Sequence, residues 1–116
     1  MTVIFKILRS DEWLAFEGAE RFEGAPVDLA DGYIHFSTAE QAAETAAKHF
    51  AGAEGLMLLS VDADALGDAL KWEPSRGGAL FPHLYAPLPR SAVLRAEPLP
   101  LGPDGAHVFP DEFGAA

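Results

Sequence analysis

Two short runs concentrate the side chains able to do chemistry. In Tyr33-Ile34-His35-Phe36-Ser37 apolar and polar residues alternate. As a strand, this run turns Ile34 and Phe36 to one face and Tyr33, His35 and Ser37 to the other. The second face is a hydroxyl–imidazole–hydroxyl row, able to donate and accept hydrogen bonds. Thr38 follows, with Gln41 three residues on, the spacing of a capping box. The free amides of a helix starting there, with Thr38, can hold an anion or polar ligand beside His35. The competing reading has His35 bonded to a backbone carbonyl, with Ser37 and Thr38 merely capping. In the second run, Phe81-Pro82-His83-Leu84-Tyr85, an extended chain puts Phe81, His83 and Tyr85 on one face. That makes an aromatic wall with two polar tips, suited to stacking on a flat ring. Its competing reading is an edge strand packing its aromatics on a neighbouring loop.

Between the runs stand Trp72-Glu73 and Ser75-Arg76-Gly77-Gly78. A carboxylate partly desolvated beside an indole has a raised pKa and suits acid or base work. Arg76, between small residues, is a mobile cation able to meet a phosphate or carboxylate. A surface ion pair and a turn account equally for both features. The glycine pair does not match G-x-x-x-x-G-K. Histidines 35, 49, 83 and 107 show no H-x-x-x-H or H-E-x-x-H pattern, so no metal site is expected unless distant residues such as His35, His83 and Glu73 assemble. There is no G-x-S-x-G nucleophile elbow.

The elements that must position these residues follow from pattern. Residues 2–8 read as an opening strand, and Ser10 as the cap of a short helix with Trp13, Leu14, Phe16 and Ala19 as its apolar surface. Residues 22–32 read as a loop with one turn of helix. The helix after Thr38 carries an apolar stripe of Ala39, Ala42, Ala43, Ala46, Ala47 and Phe50. Residues 56–61 form a strand buried on both faces, residues 70–73 a short strand, and residues 92–99 the last one. Two prolines place residues 80–88 at an edge or in an irregular segment. Strands and helices mix without a βαβ rhythm, so the fold class is α+β. Residues 1–101 form one domain, and the Pro/Gly-rich residues 102–116 are a tail that docks through Val108, Phe109 and Phe113.

The chain is 116 residues long, 49% hydrophobic, with eighteen acids against eight Lys and Arg and a net charge of −10. Domains run to about 100–150 residues, so one core is expected. The negative field disfavours generic nucleic-acid and membrane-surface binding and leaves a small-molecule ligand as the expected partner. The chain has no cysteine, which removes disulfides, thiolate nucleophiles and cysteine–metal sites. With no basic leader and no long apolar run, a cytoplasmic domain is expected.

Five segments taken together resemble a known family. Asp31-Gly-Tyr-Ile-His-Phe-Ser-Thr38, Thr45-Ala-Ala-Lys-His-Phe50, Leu58-Leu-Ser-Val-Asp62, Lys71-Trp-Glu73 and Phe81-Pro-His-Leu-Tyr-Ala-Pro-Leu88 occur in the order of the domain-of-unknown-function 952 family. Members read G-[FY]-I-H-x-S, A-x-x-F-[FY], L-x-[IV]-D, W-E and F-P-H-L-Y-G-P-L. Ala86 replaces the usual glycine, and His49 stands where an aromatic is common. The family is bacterial, of unassigned activity, and similar in fold to the ADP-ribosylating superfamily. That resemblance implies small mixed sheets, a few short helices and a cleft for NAD, ADP-ribose or another nucleotide-like ligand. It also implies ADP-ribosyl- or phospho-transferase-like chemistry for an enzyme, with NAD as substrate or ligand. His35 with Ser37 and Thr38 matches the histidine and hydroxyl residue on the nicotinamide side. Tyr85 is the candidate for stacking, and Glu73 or Glu97 for orienting a ribose hydroxyl.

The sequence therefore nominates Glu73 and His35 as catalytic. Tyr33, His35, Ser37, Thr38, Trp72, Arg76, His83 and Tyr85 are its ligand-binding candidates. The alternatives are a non-catalytic metabolite- or partner-binding module and a metal-assisted hydrolase.

Overall fold

The structure is a computed structural model that describes residues 2–110, with Arg76 described in its backbone only. Phe113, expected to dock, lies outside the described residues. The order of elements is β1 (Val3–Leu8), α1 (Ser10–Glu17), β2 (Arg21–Phe22), α2 (Pro26–Asp31), β3 (Ile34–His35), α3 (Ala39–His49), β4 (Leu56–Asp62), β5 (Leu70–Pro74), β6 (Leu80–Leu84), β7 (Leu88–Pro89) and β8 (Val93–Leu99). Short 3-10 turns join β4 to β5, β5 to β6 and β7 to β8. The α+β class holds. Among the described residues no helix is long and apolar enough to cross a membrane.

The sheets are small, and every pairing among their strands is antiparallel, where mixed sheets were expected. One sheet runs β1-β4-β8, a second β3-β6-β5, and β2 pairs with β7 inside what read as loop. The central β4 (LMLLSVD) is buried on both faces, as its near-continuous apolar sequence demands. One core gathers Ile4, Leu8, Trp13, Phe16, Phe22, Ile34, Phe36, Leu59 and Leu84. The other, beneath α3, holds Phe5, Ile7, Ala46, Leu56, Leu58 and Leu99, with Phe109 of the tail packed on it. Val108 remains half exposed.

Local differences from the sequence reading have physical causes. Arg9, not Ser10, caps α1: its carbonyl accepts the Trp13 N–H, and its own N–H donates to Glu12 (2.8 Å). Leu14 points to solvent. On α3 only Ala42 and Ala46 are buried, because the helix presents a narrow seam to β1 and leaves Ala43 and Ala47 outside. Thr38 and Gln41 do form the capping box.

The largest correction is β6, which is a central strand despite Pro82. A residue's N–H and C=O in a strand point the same way. The Pro82 carbonyl accepts the Phe36 N–H (3.0 Å), so the N–H that proline lacks belongs on that same side. There the chain after β3 leaves β6, and Ser37 exchanges two bonds with Phe5 of β1 instead (2.8 and 2.9 Å). The missing donor coincides with the point where the strands separate.

Candidate functional site

Where the strands separate there is a cleft of about 540 Å³ between β1, on the edge that Ser37 joins at Phe5, and strands β3 and β6. Phe5, Lys6 and Ile7 line it from β1, Tyr33, His35, Phe36 and Ser37 from the crossing segment, and Phe81 and His83 from β6. Pro26, Val27 and Asp31 of the α2 segment form one lip, and Arg9 and Phe50 another. Arg9 lays its guanidinium over the Phe50 ring at 5.1 Å from the centroid. Alternation along β1 turns the Ile7 N–H and C=O the same way as those of Phe5, towards this space.

Cross-strand pairing brings the two chemical runs together. His35 and His83 are directly opposed in the β3–β6 register, and their rings meet edge to face at 5.5 Å. Tyr33 sits over the junction, 4.2 Å from His83, 4.7 Å from His35 and 5.2 Å from Tyr85, on which it stacks. The alternation read in the sequence holds: Ile34 and Phe36 are buried in the core, and the polar faces of both runs share one side.

A second layer fixes these rings. Asp28, 1% exposed, accepts from Lys6 Nζ at 3.1 and 3.0 Å on its two oxygens and from the Ala25 amide at 2.8 Å. It also accepts from the His35 amide (3.1 Å) and stands 2.7 Å from His35 Nδ1. Burial alone would raise its pKa, but the bond to the His35 ring, the Lys6 charge and the two amides outweigh burial and hold the carboxyl down to about 2. Burial pulls the Lys6 ammonium below its usual value, against the opposing pull of Asp28. Asp31 closes the other side of His35, Oδ2 to Nε2 at 2.9 Å. Both nitrogens of this imidazole therefore face carboxylates.

His83 differs. Its Nδ1 meets Glu73 Oε1 at 2.8 Å, and the Tyr85 hydroxyl donates to the same oxygen at 2.7 Å. The Tyr85 and His83 bonds together hold the Glu73 carboxyl below its ordinary value. The same bond, by stabilising the phenol proton, pushes Tyr85 up to about 12. The expectation of a Glu73 raised by its indole neighbour is thus reversed. Trp72 projects to the opposite face of β5, where it lines a separate shallow hollow with Thr2, Asp64 and Leu70.

Several nominated residues have other partners. Ser37 lines the cleft, yet its hydroxyl bonds Thr45 (2.8 Å). Thr38 is spent on the helix cap, and Gln41 also donates to the Leu80 carbonyl (2.7 Å), so the Thr38 hydroxyl and the Thr38 and Gln41 amides at that helix start already have partners. Glu97 lies on β8, 4.0 Å from Arg95 and away from the rings. Among the described residues, no three His, Asp or Glu groups converge as a metal would require. His107 instead contacts the Ala53 carbonyl at 2.8 Å.

The sequence reading missed Asp28, Asp31 and Lys6. Two signals were available. Pro26 with Asp28 two residues on marks a helix start, since an acid at the third helical position reaches back to the cap amide. A lone lysine inside the apolar strand VIFKIL demands a buried partner.

Comparison with known proteins agrees with this architecture. The X-ray crystal structure of protein CC0527 from Caulobacter crescentus is similar at 57% identity and a TM-score of 0.88, over 92% of this chain and 94% of that one. The solution NMR structure of CC0527 is similar at 58% identity and 0.82, over 91% of each chain. No curated protein matches the chain. The family described as "Protein of unknown function (DUF952)" matches residues 7–96, and the chain belongs to it.

Proposed function

We propose that the cleft binds a nucleotide-like small molecule of the NAD or ADP-ribose type, on an ADP-ribosyltransferase-like fold. One observation carries the reading. A continuous ring wall of Tyr33, His35 and His83, backed by Tyr85, borders a cleft of about 540 Å³. That volume falls within the roughly 300–1,000 Å³ of small-molecule sites. Tyr33, rather than Tyr85, is the ring placed to stack on a base or nicotinamide. The Ile7 backbone edge offers a donor and an acceptor to a carboxamide or base, and Arg9 supplies a cation for phosphate at the mouth.

Catalysis would draw on charge already in place. Loss of a group from an N-glycosidic carbon develops positive charge, which a carboxylate can stabilise electrostatically; Asp31 lines the cleft, and Glu73, nominated for this role, meets it only through its bond to His83. A non-catalytic binding module is the second reading, favoured by the engagement of Glu73, Asp28 and Asp31 in bonds to neighbouring side chains.

The test is a thermal-shift panel of NAD, ADP-ribose, mononucleotides and 2′-phosphorylated nucleotides. A specific ligand at 100 times its Kd adds about 2.7 kcal/mol of stability. A shift with one member, abolished in Tyr33→Ala, is expected. Silence across the panel overturns the reading. Release of nicotinamide from bound NAD separates catalysis from binding.

A further inference from the structure

The two histidines at the cleft look alike in sequence and differ in what they leave free. His35 has Asp28 at 2.7 Å on Nδ1 and Asp31 at 2.9 Å on Nε2, so neither nitrogen is open to a ligand. His83 is 3% exposed, and its single hydrogen-bonding partner among the described residues is Glu73 on Nδ1. A carboxylate accepts, so in the neutral ring Nδ1 carries the proton and Nε2 keeps its lone pair. Among the described residues, Arg90 Nε is the sole fully enclosed side-chain nitrogen or oxygen without a partner. His83 Nε2 is therefore unpaired and reaches accessible space, while its ring lines the cleft beside Tyr33.

We propose that His83, oriented by Glu73, is the side-chain hydrogen-bond acceptor of the ring wall and selects ligands that carry an N–H or O–H donor beside a flat ring. The proposal rests on the reading of the cleft as a small-molecule site, and it narrows the chemistry of the occupant. A buried acceptor matched by a donor discriminates strongly, because an analogue without the donor leaves the nitrogen dry and unpaired. Glu73 is a positioning residue: it fixes which nitrogen is bare. Tyr85, donating to the same Glu73 oxygen, holds the carboxylate in place.

The experiment uses the whole chain with 15N-labelled histidine, read by long-range proton–nitrogen NMR, with benzamide and methyl benzoate as probes. The two probes share a ring, and benzamide alone has an N–H. In the free protein His83 should show a protonated Nδ1 and a bare Nε2. Benzamide should move the Nε2 resonance and bind at least tenfold more tightly than methyl benzoate. Glu73→Gln, at a partly exposed position that spares the core, should mix the two tautomers of His83 and weaken benzamide about tenfold, with His35 unmoved. A proton on Nε2 in the free protein overturns the proposal, as does an equal response to the two probes, including no response to either. Nucleotide binding with an unresponsive His83 would remove this residue and leave the nucleotide reading intact. Benzamide selectivity without any nucleotide response would do the reverse.

Discussion

Asp28→Asn keeps the volume of the side chain and removes one charge from a buried site. The carboxylate is 1% exposed and takes bonds from Lys6 on both oxygens, from two backbone amides and from the His35 ring. The asparagine NH2 must take the place of one oxygen. In the Oδ2 position it faces the Ala25 N–H and the Lys6 ammonium; in the Oδ1 position it faces His35 and the same ammonium. Donor meets donor either way. Lys6, itself buried, is left without a counter-charge, and breaking a buried pair from one side costs about 3–5 kcal/mol. At roughly 0.05–0.15 kcal/mol per residue, a chain of this length is stable by about 6–17 kcal/mol, so the loss is a large fraction of the whole.

Urea unfolding followed by circular dichroism at pH 7 reads the difference, with equal m-values confirming that the same transition is compared. Lys6→Met/Asp28→Asn should cost less than the sum of its single variants by at least about 1–2 kcal/mol, because it removes the orphaned ammonium. A single Asp28→Asn variant within 1 kcal/mol of the parent, or strict additivity in the cycle, refutes the argument that this pair anchors the site.

Three other outcomes follow from the same contacts. Since the Asp28 carboxyl is depressed from 3.8 to about 2 in the fold, its contribution of about 2 kcal/mol is complete above pH 4 and lost as pH falls from about 4 to 2; the stability gap between parent and Asp28→Asn should narrow by about 2 kcal/mol over that range. In a Tyr33→Phe background, Tyr85 should ionise near pH 12 by ultraviolet titration and move back towards 10 on Glu73→Gln; no movement would break the Glu73–Tyr85 assignment. Trp72→Ala should change ligand response less than twofold while Tyr33→Ala abolishes it, and equal effects would put the site on both faces of β5.

What was legible in the sequence was whatever alternation or spacing encodes directly. The faces of the Tyr33 and Phe81 runs, the Thr38–Gln41 cap and the doubly buried β4 all follow from local periodicity. The partners of polar side chains did not, because they come from segments far apart in the chain. Lys6 and Asp28 are separated by 22 positions, and Glu73 and His83 by ten. Glu73 illustrates the difference: its sequence neighbour Trp72 suggested desolvation, but on a strand adjacent residues face opposite ways. Its true neighbours are His83 and Tyr85, across the β5–β6 pair, and they reverse the sign of its shift.

Pro82 joins the fold to the site. Proline in a middle strand is normally excluded because it breaks the ladder, and the sequence reading placed it at an edge on that rule. Here the break is where the ladder is meant to end. Ile34 and His35 pair with β6, Phe36 gives one bond to Pro82, and Ser37 has already joined β1. With an N–H at that position, β6 could continue pairing with the Phe36 carbonyl and draw the crossing segment away from β1. The space that opens on that side becomes the cleft, walled by Phe5 and Ile7 on one strand and by Phe81 and His83 on the other. The residue that ends the pairing thus stands between the two rings, Phe81 and His83, that line the wall: the ladder before it sets the ring array, and its missing N–H coincides with the point where the chain crosses to β1.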